Sequence, residues 1–302
     1  MTEVTYDIPI AFMTFNRPDT TEQVFNEIKK IKPAKLYAVS DGPRKDKDGE
    51  EEKVSACRRL IEEGIDWECE LIKVYAKENM GCKERMHTGI SYVFDREPMA
   101  VILEDDVVPS EQFFEYCREL LKLYENDKRV MMISGTNLLK GVGMEGRYTF
   151  SCFPSIWGWA SWARAWKLYD PEVKDWPKVK KDGSLKKVQG GFSYLFLKEH
   201  IDSVYEHRKD TWDIQWDFCR HIHKGLGIVP SVNLIKNIGF DREDATHTKG
   251  SHNEDFSYGE MIFPLEKKEI KRDTAYDAAY IKKYYGLSKT VQAVLRKLKI
   301  IK

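Results

Sequence analysis

The sequence predicts an α/β fold with a mainly parallel central sheet and a helical C-terminal tail. Two observations predict it. Short apolar runs alternate with segments of helical periodicity through the first half of the chain, and strand–helix–strand connections of that kind are right-handed crossovers between parallel strands. The 302 residues, 42% hydrophobic and 12% aromatic, can bury a substantial core and lack the composition of a disordered chain.

Residues 8–15 form a short apolar run that stops at Asn16-Arg17-Pro18. Thr20 or Thr21 is then the expected cap of a helix carrying Val24, Ile28 and Ile31 on one face. A second strand over 36–39 ends in Ser40-Asp41-Gly42-Pro43. A charged stretch, 44–53, leads into another helix, followed by a third strand around 71–75. After Asn79-Met80-Gly81 a helix runs toward Phe94, and 99–103 form a fourth strand. Ligands of open parallel sheets sit beyond the carboxyl ends of the strands. The loops at 16–18, 41–44, 79–82 and 104–109 are therefore expected to converge on one site.

The second half is less regular. It reads as a strand at 130–134, a Trp-rich stretch at 153–166 and a lysine-rich loop at 174–187. Helices follow around 190–206 and 211–224, then a strand at 228–235 and a polar loop, 239–256. Residues 1–135 and 136–265 are expected to be two halves of one domain, with 266–302 a helical, basic tail.

Composition excludes several classes. Lys+Arg and Asp+Glu number 49 each, a balance that disfavours nucleic acid as a partner. No apolar run approaches the roughly 18 residues of a membrane span. The N-terminus carries Glu3 and Asp7 and lacks a basic-then-apolar signal pattern, so a cytoplasmic protein is expected. The six cysteines show no CxxC spacing and read as free thiols. Cys219, His221 and His223 do not form a metal set, because helix residues two apart do not face each other. The neutral total conceals a segregation: residues 98–119 hold six acids and one base, whereas 286–302 hold five bases and no acid. The stretch 288–302 is a basic amphipathic helix by pattern. It suits either peripheral contact with the inner face of an anionic membrane or packing on the domain or a partner.

The segment Pro98-Met99-Ala100-Val101-Ile102-Leu103-Glu104-Asp105-Asp106 is the most informative. A buried apolar strand ends in three carboxylates, and strand alternation puts Glu104 and Asp106 on one side and Asp105 on the other. Adjacent anions need positive charge beside them. A hard divalent cation completed by phosphate oxygens and water fits. So does the positive N-terminus of the helix opened by Pro109, Ser110 and Glu111.

VILEDDVVPSEQFFEY resembles the acidic, DxD-type motif of GT-A glycosyltransferases. The group includes the β-1,2-N-acetylglucosaminyltransferase of N-glycan synthesis and related bacterial sugar transferases. The resemblance runs from IAFMTFNRP through SDGPR, ENMGCKERMHTG, FPSIWGWASWARAW and WDIQWDFCRH to NIGFDREDATHT, and more weakly to YDAAYIKKYYG. It implies a Rossmann-like GT-A fold and an inverting, metal-dependent transfer of a hexosyl or N-acetylhexosaminyl group. The donor would be a nucleotide sugar, first of all a UDP-sugar, and the acceptor a glycan or a lipid-linked hydroxyl. It implies further that Asp106 holds Mn²⁺ or Mg²⁺ at the donor diphosphate and that Glu104 and Asp105 contact ribose and donor sugar. Asp41 would meet the uracil, Arg17 would lie near the nucleotide, and Lys77, Asn79 and Gly81 would line the cleft. A loop over 239–253, with Arg242, Thr246 and His247, would close over the donor and expel water.

Inversion needs a base for the acceptor proton. Asp217 matches the family's catalytic carboxylate best, with Asp213 second. By its residues alone, Asp210 reads as the cap of that helix, and Asp217 shares a face with Asp213 and Arg220 beside Trp212 and Trp216. Trp159, Trp162 and Trp166 fall on a helical stripe. Trp162 and Trp166 read as core, and Trp159, beside Gly158, reads as a sugar contact. Two other readings are a sugar-1-phosphate nucleotidyltransferase and a non-catalytic carbohydrate- or nucleotide-sugar-binding protein. The first wants a Gly-rich, basic phosphate loop where this chain has FNRPDTT.

Overall fold

Strands buried on both faces are near-continuous apolar runs rather than alternating ones, and IAFMT and MAVILE, apolar up to their last residue, are sequences of this kind. The computed structural model describes residues 6–139, 144, 146–189, 191–240, 242 and 257–285. The first half folds as β1 (Ile10–Thr14), α1 (Pro18–Ile31), β2 (Lys35–Ser40), α2 (Glu50–Gly64), β3 (Glu70–Tyr75), α3 (Cys82–Phe94) and β4 (Met99–Glu104). There follow β5 (Val107–Pro109), α4 (Glu111–Leu123), β6 (Val130–Ser134), β7 (Tyr148–Ser151), β8 (Trp159–Trp162), α5 (Ala163–Trp166), α6 (Trp176–Asp182) and α7 (Ser184–Gln189). The chain continues through α8 (Gly191–Tyr205), α9 (Asp213–Ile222), β9 (Leu226–Pro230), β10 (Ile235–Asn237) and α10 (Thr274–Tyr284).

The result is an α/β fold on an eight-stranded sheet of order β3-β2-β1-β4-β8-β6-β9-β7. The β3-β2-β1-β4 block is parallel throughout, and β6 and β9 are parallel to each other. β8 runs antiparallel between β4 and β6, and β7 antiparallel on β9. Since β6 joins β8 and β9, the sheet continues across residue 135. β5 and β10 make a separate antiparallel ribbon.

Period-2 alternation sends each strand's side chains into two cores. On one face Ile10, Phe12, Val101, Leu103 and Trp162 pack with Val24 and Phe25 of α1 and Phe113, Cys117 and Leu120 of α4. On the other, Ala11, Met13, Ala100, Ile102 and Trp159 pack with Met86, Ile90 and Val93 of α3 and Trp212 and Trp216. A third cluster joins Trp176, Ile201 and Val204 to Ile214 and Phe218 of α9. All six cysteines are free thiols. Among the described residues no helix is long and apolar enough to cross a membrane.

Several local expectations are corrected. α1 starts on Pro18, whose missing N–H suits a first-turn position, with Arg17 at the N-cap and no capping side chain. Thr20 and Thr21 are buried inside the helix instead. The lysine-rich stretch is two short helices, α6 and α7. The strand expected over 228–235 is broken into β9 and β10. The Trp stretch is strand β8 followed by α5 rather than one helix, so Trp159 and Trp162 point into different cores.

Gly158, just before β8, has φ +60°, and a β-carbon there would collide with the Ile235 side chain. The close neighbour is thus the protein itself. Gly158→Ala is expected to lower stability by about 1–3 kcal/mol, read as a fall in the urea midpoint at unchanged m-value; an unchanged midpoint would contradict this packing.

Candidate active site

After β1 the chain steps to β2 and β3 on one side, then returns to β4 on the other. The topological switch point, where such sheets open a crevice, therefore lies between β1 and β4. Arg17 leaves one of these strand ends, and Glu104, Asp105 and Asp106 leave the other. Arg17 Nη1 lies 3.0 Å from Asp106 Oδ2 and 3.6 Å from Asp105 Oδ1, and the Phe15 N–H donates to Asp105 Oδ2 at 3.3 Å. The alternation expected to separate the two aspartates stops at Glu104: the chain turns through 105–106, and both side chains reach the same guanidinium.

Desolvation dominates the electrostatics here. It raises Glu104 well above the usual carboxylate range, with repulsion from Asp106, Asp105 and Asp213 adding to it. It lifts Asp105 to about 7, helped by Asp106, and raises Asp106 as well. Arg17 opposes all three shifts, and Arg242 opposes those of the two aspartates. Asp19 on α1 holds Arg242 in turn, at 2.6 and 3.2 Å. Ile238 N–H donates to the Asp106 carbonyl at 2.8 Å. Together with the β5–β10 pairing, this lays the 235–239 strap along the acidic turn.

Asp41, at the end of β2, is 5% exposed. Its carboxylate accepts from Gly42 N at 2.8 Å, Met80 N at 2.9 Å and Asn79 Nδ2 at 2.9 Å. Asp41 therefore staples the 41–44 loop to the 79–81 loop. It keeps about one of an aspartate's roughly four acceptor positions for anything else. Arg58 of α2 braces the same junction, donating to Asp41 O at 3.0 Å and Ala76 O at 2.8 Å. Glu50 ties Asn16 to Arg44. Lys77 is exposed in the adjoining loop.

α9 supplies the opposite wall. Trp212, Trp216 and Cys219 face one core and Ile214 and Phe218 another, which leaves Asp213 and Asp217, four residues apart, on a third face. Asp217 pairs with Arg220. The arginine side chain is fully buried, while that of Asp217 is 42% exposed. Desolvation raises the Asp217 pKa, and Arg220 pulls it back. Asp213 lies close enough to Glu104 to raise it. The Cys82 thiol, raised mainly by burial, also feels Glu104, Asp210, Asp213 and Asp41. The ends of β2 and β4, the start of α3 and the start of α9 therefore meet at one place.

No protein-family model and no curated protein sequence matches the chain. Among solved structures it is similar to galactosyltransferase LgtC in complex with donor and acceptor sugar analogues (9% identity, 72% of this chain and 70% of that one, TM-score 0.38). It is also similar to mouse xyloside xylosyltransferase 1 in its apo form (11%, 72% and 82%, TM-score 0.39). A third is the inositol-1-phosphate CTP transferase from T. maritima (9%, 56% and 76%, TM-score 0.31). Superpositions this loose carry no activity from those proteins to this one.

The structure thus gathers Arg17, Asp41, Asn79, Gly81, Glu104, Asp105, Asp106, Asp213 and Arg242 around one crevice, with Asp217 one helical turn beyond Asp213. Trp159 is not at the surface. It is 1% exposed and packs on Trp212 at 5.5 Å and Trp216 at 5.9 Å, so it is core and offers no face to a sugar. Thr246, His247 and the 288–302 tail lie outside the described residues. Among the described residues no group of three or more His, Cys, Asp or Glu side chains is arranged as a metal cage. A cation bound through one or two carboxylates and completed by substrate phosphates and water needs no such cage, and the hard oxygens crowded at 104–106 fit that mode.

Asp210 is the functional residue the sequence misled on. It does not cap α9, whose N-cap is Trp212 with no side-chain bond. It caps α3 across the cleft, accepting from Cys82 N at 3.0 Å and Lys83 N at 2.9 Å beside Gly81, φ +81°. Only its position before α9, equally compatible with a local cap, pointed to it. Asp210→Ala is expected to cost about 0.5–2 kcal/mol and to speed amide exchange at Cys82 and Lys83; protection unchanged at those amides would contradict the cap.

Proposed function

We propose that the chain is a metal-dependent, inverting glycosyltransferase of the GT-A type. It moves a hexosyl or N-acetylhexosaminyl group from a nucleotide sugar, first of all a UDP-sugar, to a hydroxyl of a glycan or lipid-linked acceptor. One observation carries the reading: Arg17, leaving β1, meets Asp105 and Asp106 at the end of β4, while Asp210 holds the approach to α9 on the first amides of α3 at the same end of the sheet. That arrangement supports a reading in which the strand-end acidic turn and the carboxylates of α9 serve one reaction.

In this account the loops held by Asp41 and Asn79 form the floor under the base, and the remaining acceptor position of Asp41 takes a uracil N–H. Glu104 and Asp105 meet the ribose and donor sugar. Asp106 would hold Mn²⁺ or Mg²⁺, which when bound would supply positive charge to offset that of the departing diphosphate. Arg17 and Arg242, already oriented by carboxylates, add fixed positive charge on the same side at no reorganisation cost. Asp217 takes the proton from the acceptor hydroxyl. Buried Arg220 fixes its orientation and favours its ionised form.

UDP release from a panel of UDP-sugars with Mn²⁺ tests this directly. Asp106→Ala should abolish it, and Asp217→Asn should lower kcat by about 10²–10⁴-fold; turnover surviving in Asp217→Asn would refute the base assignment. The proton acceptor must be ionised, so activity falls as pH drops through the Asp217 pKa, which lies above its ordinary value. Removing Arg220 removes an influence that lowers this pKa. Arg220→Met is therefore expected to move the acid limb of the kcat profile to higher pH, and an unmoved limb would contradict the pairing.

A further inference from the structure

Near Asp217 lies a group of aromatic rings contributed by four separate segments. Phe153, which follows β7, stacks on Tyr280 of α10 with centroids 4.9 Å apart and planes at 9°. Phe153 also meets His221 of α9 at 6.0 Å. Tyr285 lies 5.8 Å from Tyr280 and 5.0 Å from Phe196 of α8, and Phe196 lies 4.5 Å from His200. The Tyr280 and Tyr285 hydroxyls are within electrostatic range of the Asp217 carboxylate. Phe196, Tyr280 and Tyr285 are half-buried, Phe153 is nearly covered, and the Asp217 side chain is 42% exposed.

This wall is rigidly mounted. The Asp273 side chain caps α10 by accepting from Tyr276 N at 2.9 Å and also accepts from Thr149 Oγ1 at 2.9 Å. Buried Asp277 accepts from Ser151, Cys152 and Arg272. Lys283 Nζ donates to Leu138 O at 2.9 Å. α10 is thus fastened to β7, the strand that leads into Phe153. Partly exposed rings beside a partly exposed carboxylate suit a ligand with an apolar face and hydroxyls at its rim, which describes a pyranose.

We infer that Phe196, Tyr280 and Tyr285, backed by the buried ring of Phe153, form the subsite for the acceptor's pyranose ring, holding its apolar face so that a ring hydroxyl meets Asp217. This rests on the glycosyltransferase reading and gives α10 and α8 a part in acceptor choice. The acceptor is then a saccharide at its reacting end, whatever carries it. All four rings lie beyond residue 150, apart from the segments that carry Arg17, Asp41 and the acidic turn.

Saturation-transfer NMR of methyl β-D-galactopyranoside, methyl β-D-glucopyranoside and methyl α-D-mannopyranoside on the full chain, with UDP and Mg²⁺, tests it. At least one should bind through its ring C–H face. Phe196→Ala and Tyr285→Ala should each weaken it about tenfold, while Tyr285→Phe and Tyr285→Trp stay within about twofold of the parent. UDP affinity and acceptor-free hydrolysis of the UDP-sugar should not change in any of these variants. Two variants on separate helices, each checked by its melting temperature, keep a local folding defect from imitating the result. The inference is overturned if none of the three glycosides binds, or if both alanine variants bind like the parent. Failure of the underlying reading is separate: there the parent chain neither binds UDP nor hydrolyses a UDP-sugar.

Discussion

Carboxylates crowded at the end of a buried strand repel one another, and the crevice is arranged around relieving that repulsion. Two unit charges 4 Å apart at an effective dielectric constant of 20 interact by about 4 kcal/mol, a large share of the stability of a domain. The relief comes from the neighbouring strand. Met13 pairs with Glu104 in register, so the residues that follow β1 arrive beside those that follow β4, and Arg17 falls between Asp105 and Asp106. Pro18 then starts α1 at once, and Asp19 in its first turn holds Arg242 within reach of the same aspartates. The parallel pairing of β1 and β4 thus sets the charge balance of the site.

α9 depends on a second constraint. A helix packed on one side can rotate or slide; α9 is wedged between the Trp159–Trp166 cluster and the Trp176–Ile201 cluster. Rings of this kind each bury about 150–250 Å², so displacing the helix would expose large apolar area on both sides. Asp213 and Asp217 are left on the remaining face. Asp210 then links the approach to α9 to the first amides of α3, so the carboxylate pair and the loop that Asp41 holds share one frame.

Much of this was legible in the sequence. Continuous apolar runs ending in polar loops marked β1, β2, β4 and β6, and the crossover rule made the first four strands parallel. The convergence of the loops at 17, 41, 79 and 104–106 followed from that topology alone. Legibility failed where a side chain serves a distant backbone. Asp210 carries the same signature whether it caps its own helix or another 127 residues away. Asp41 was expected to meet a ligand, and it also staples two loops together. Trp159 failed for another reason: the spacing 159, 162, 166 fits a helix, but β8 and α5 change direction within it, and a strand sends Trp159 inward. The ring cluster beside Asp217 joins residues 153, 196, 280 and 285, which no local pattern could bring together.

On the proposed function, the β1/β4 crevice binds a nucleoside diphosphate only once a divalent cation offsets its carboxylates. Calorimetric titration of UDP into the full chain, with Mn²⁺ and then with the metal chelated, decides it. The charge balance at Arg17, Glu104, Asp105 and Asp106 predicts measurable binding with Mn²⁺ and at least about tenfold weaker binding without it. Equal affinity under both conditions, or no binding under either, would contradict it.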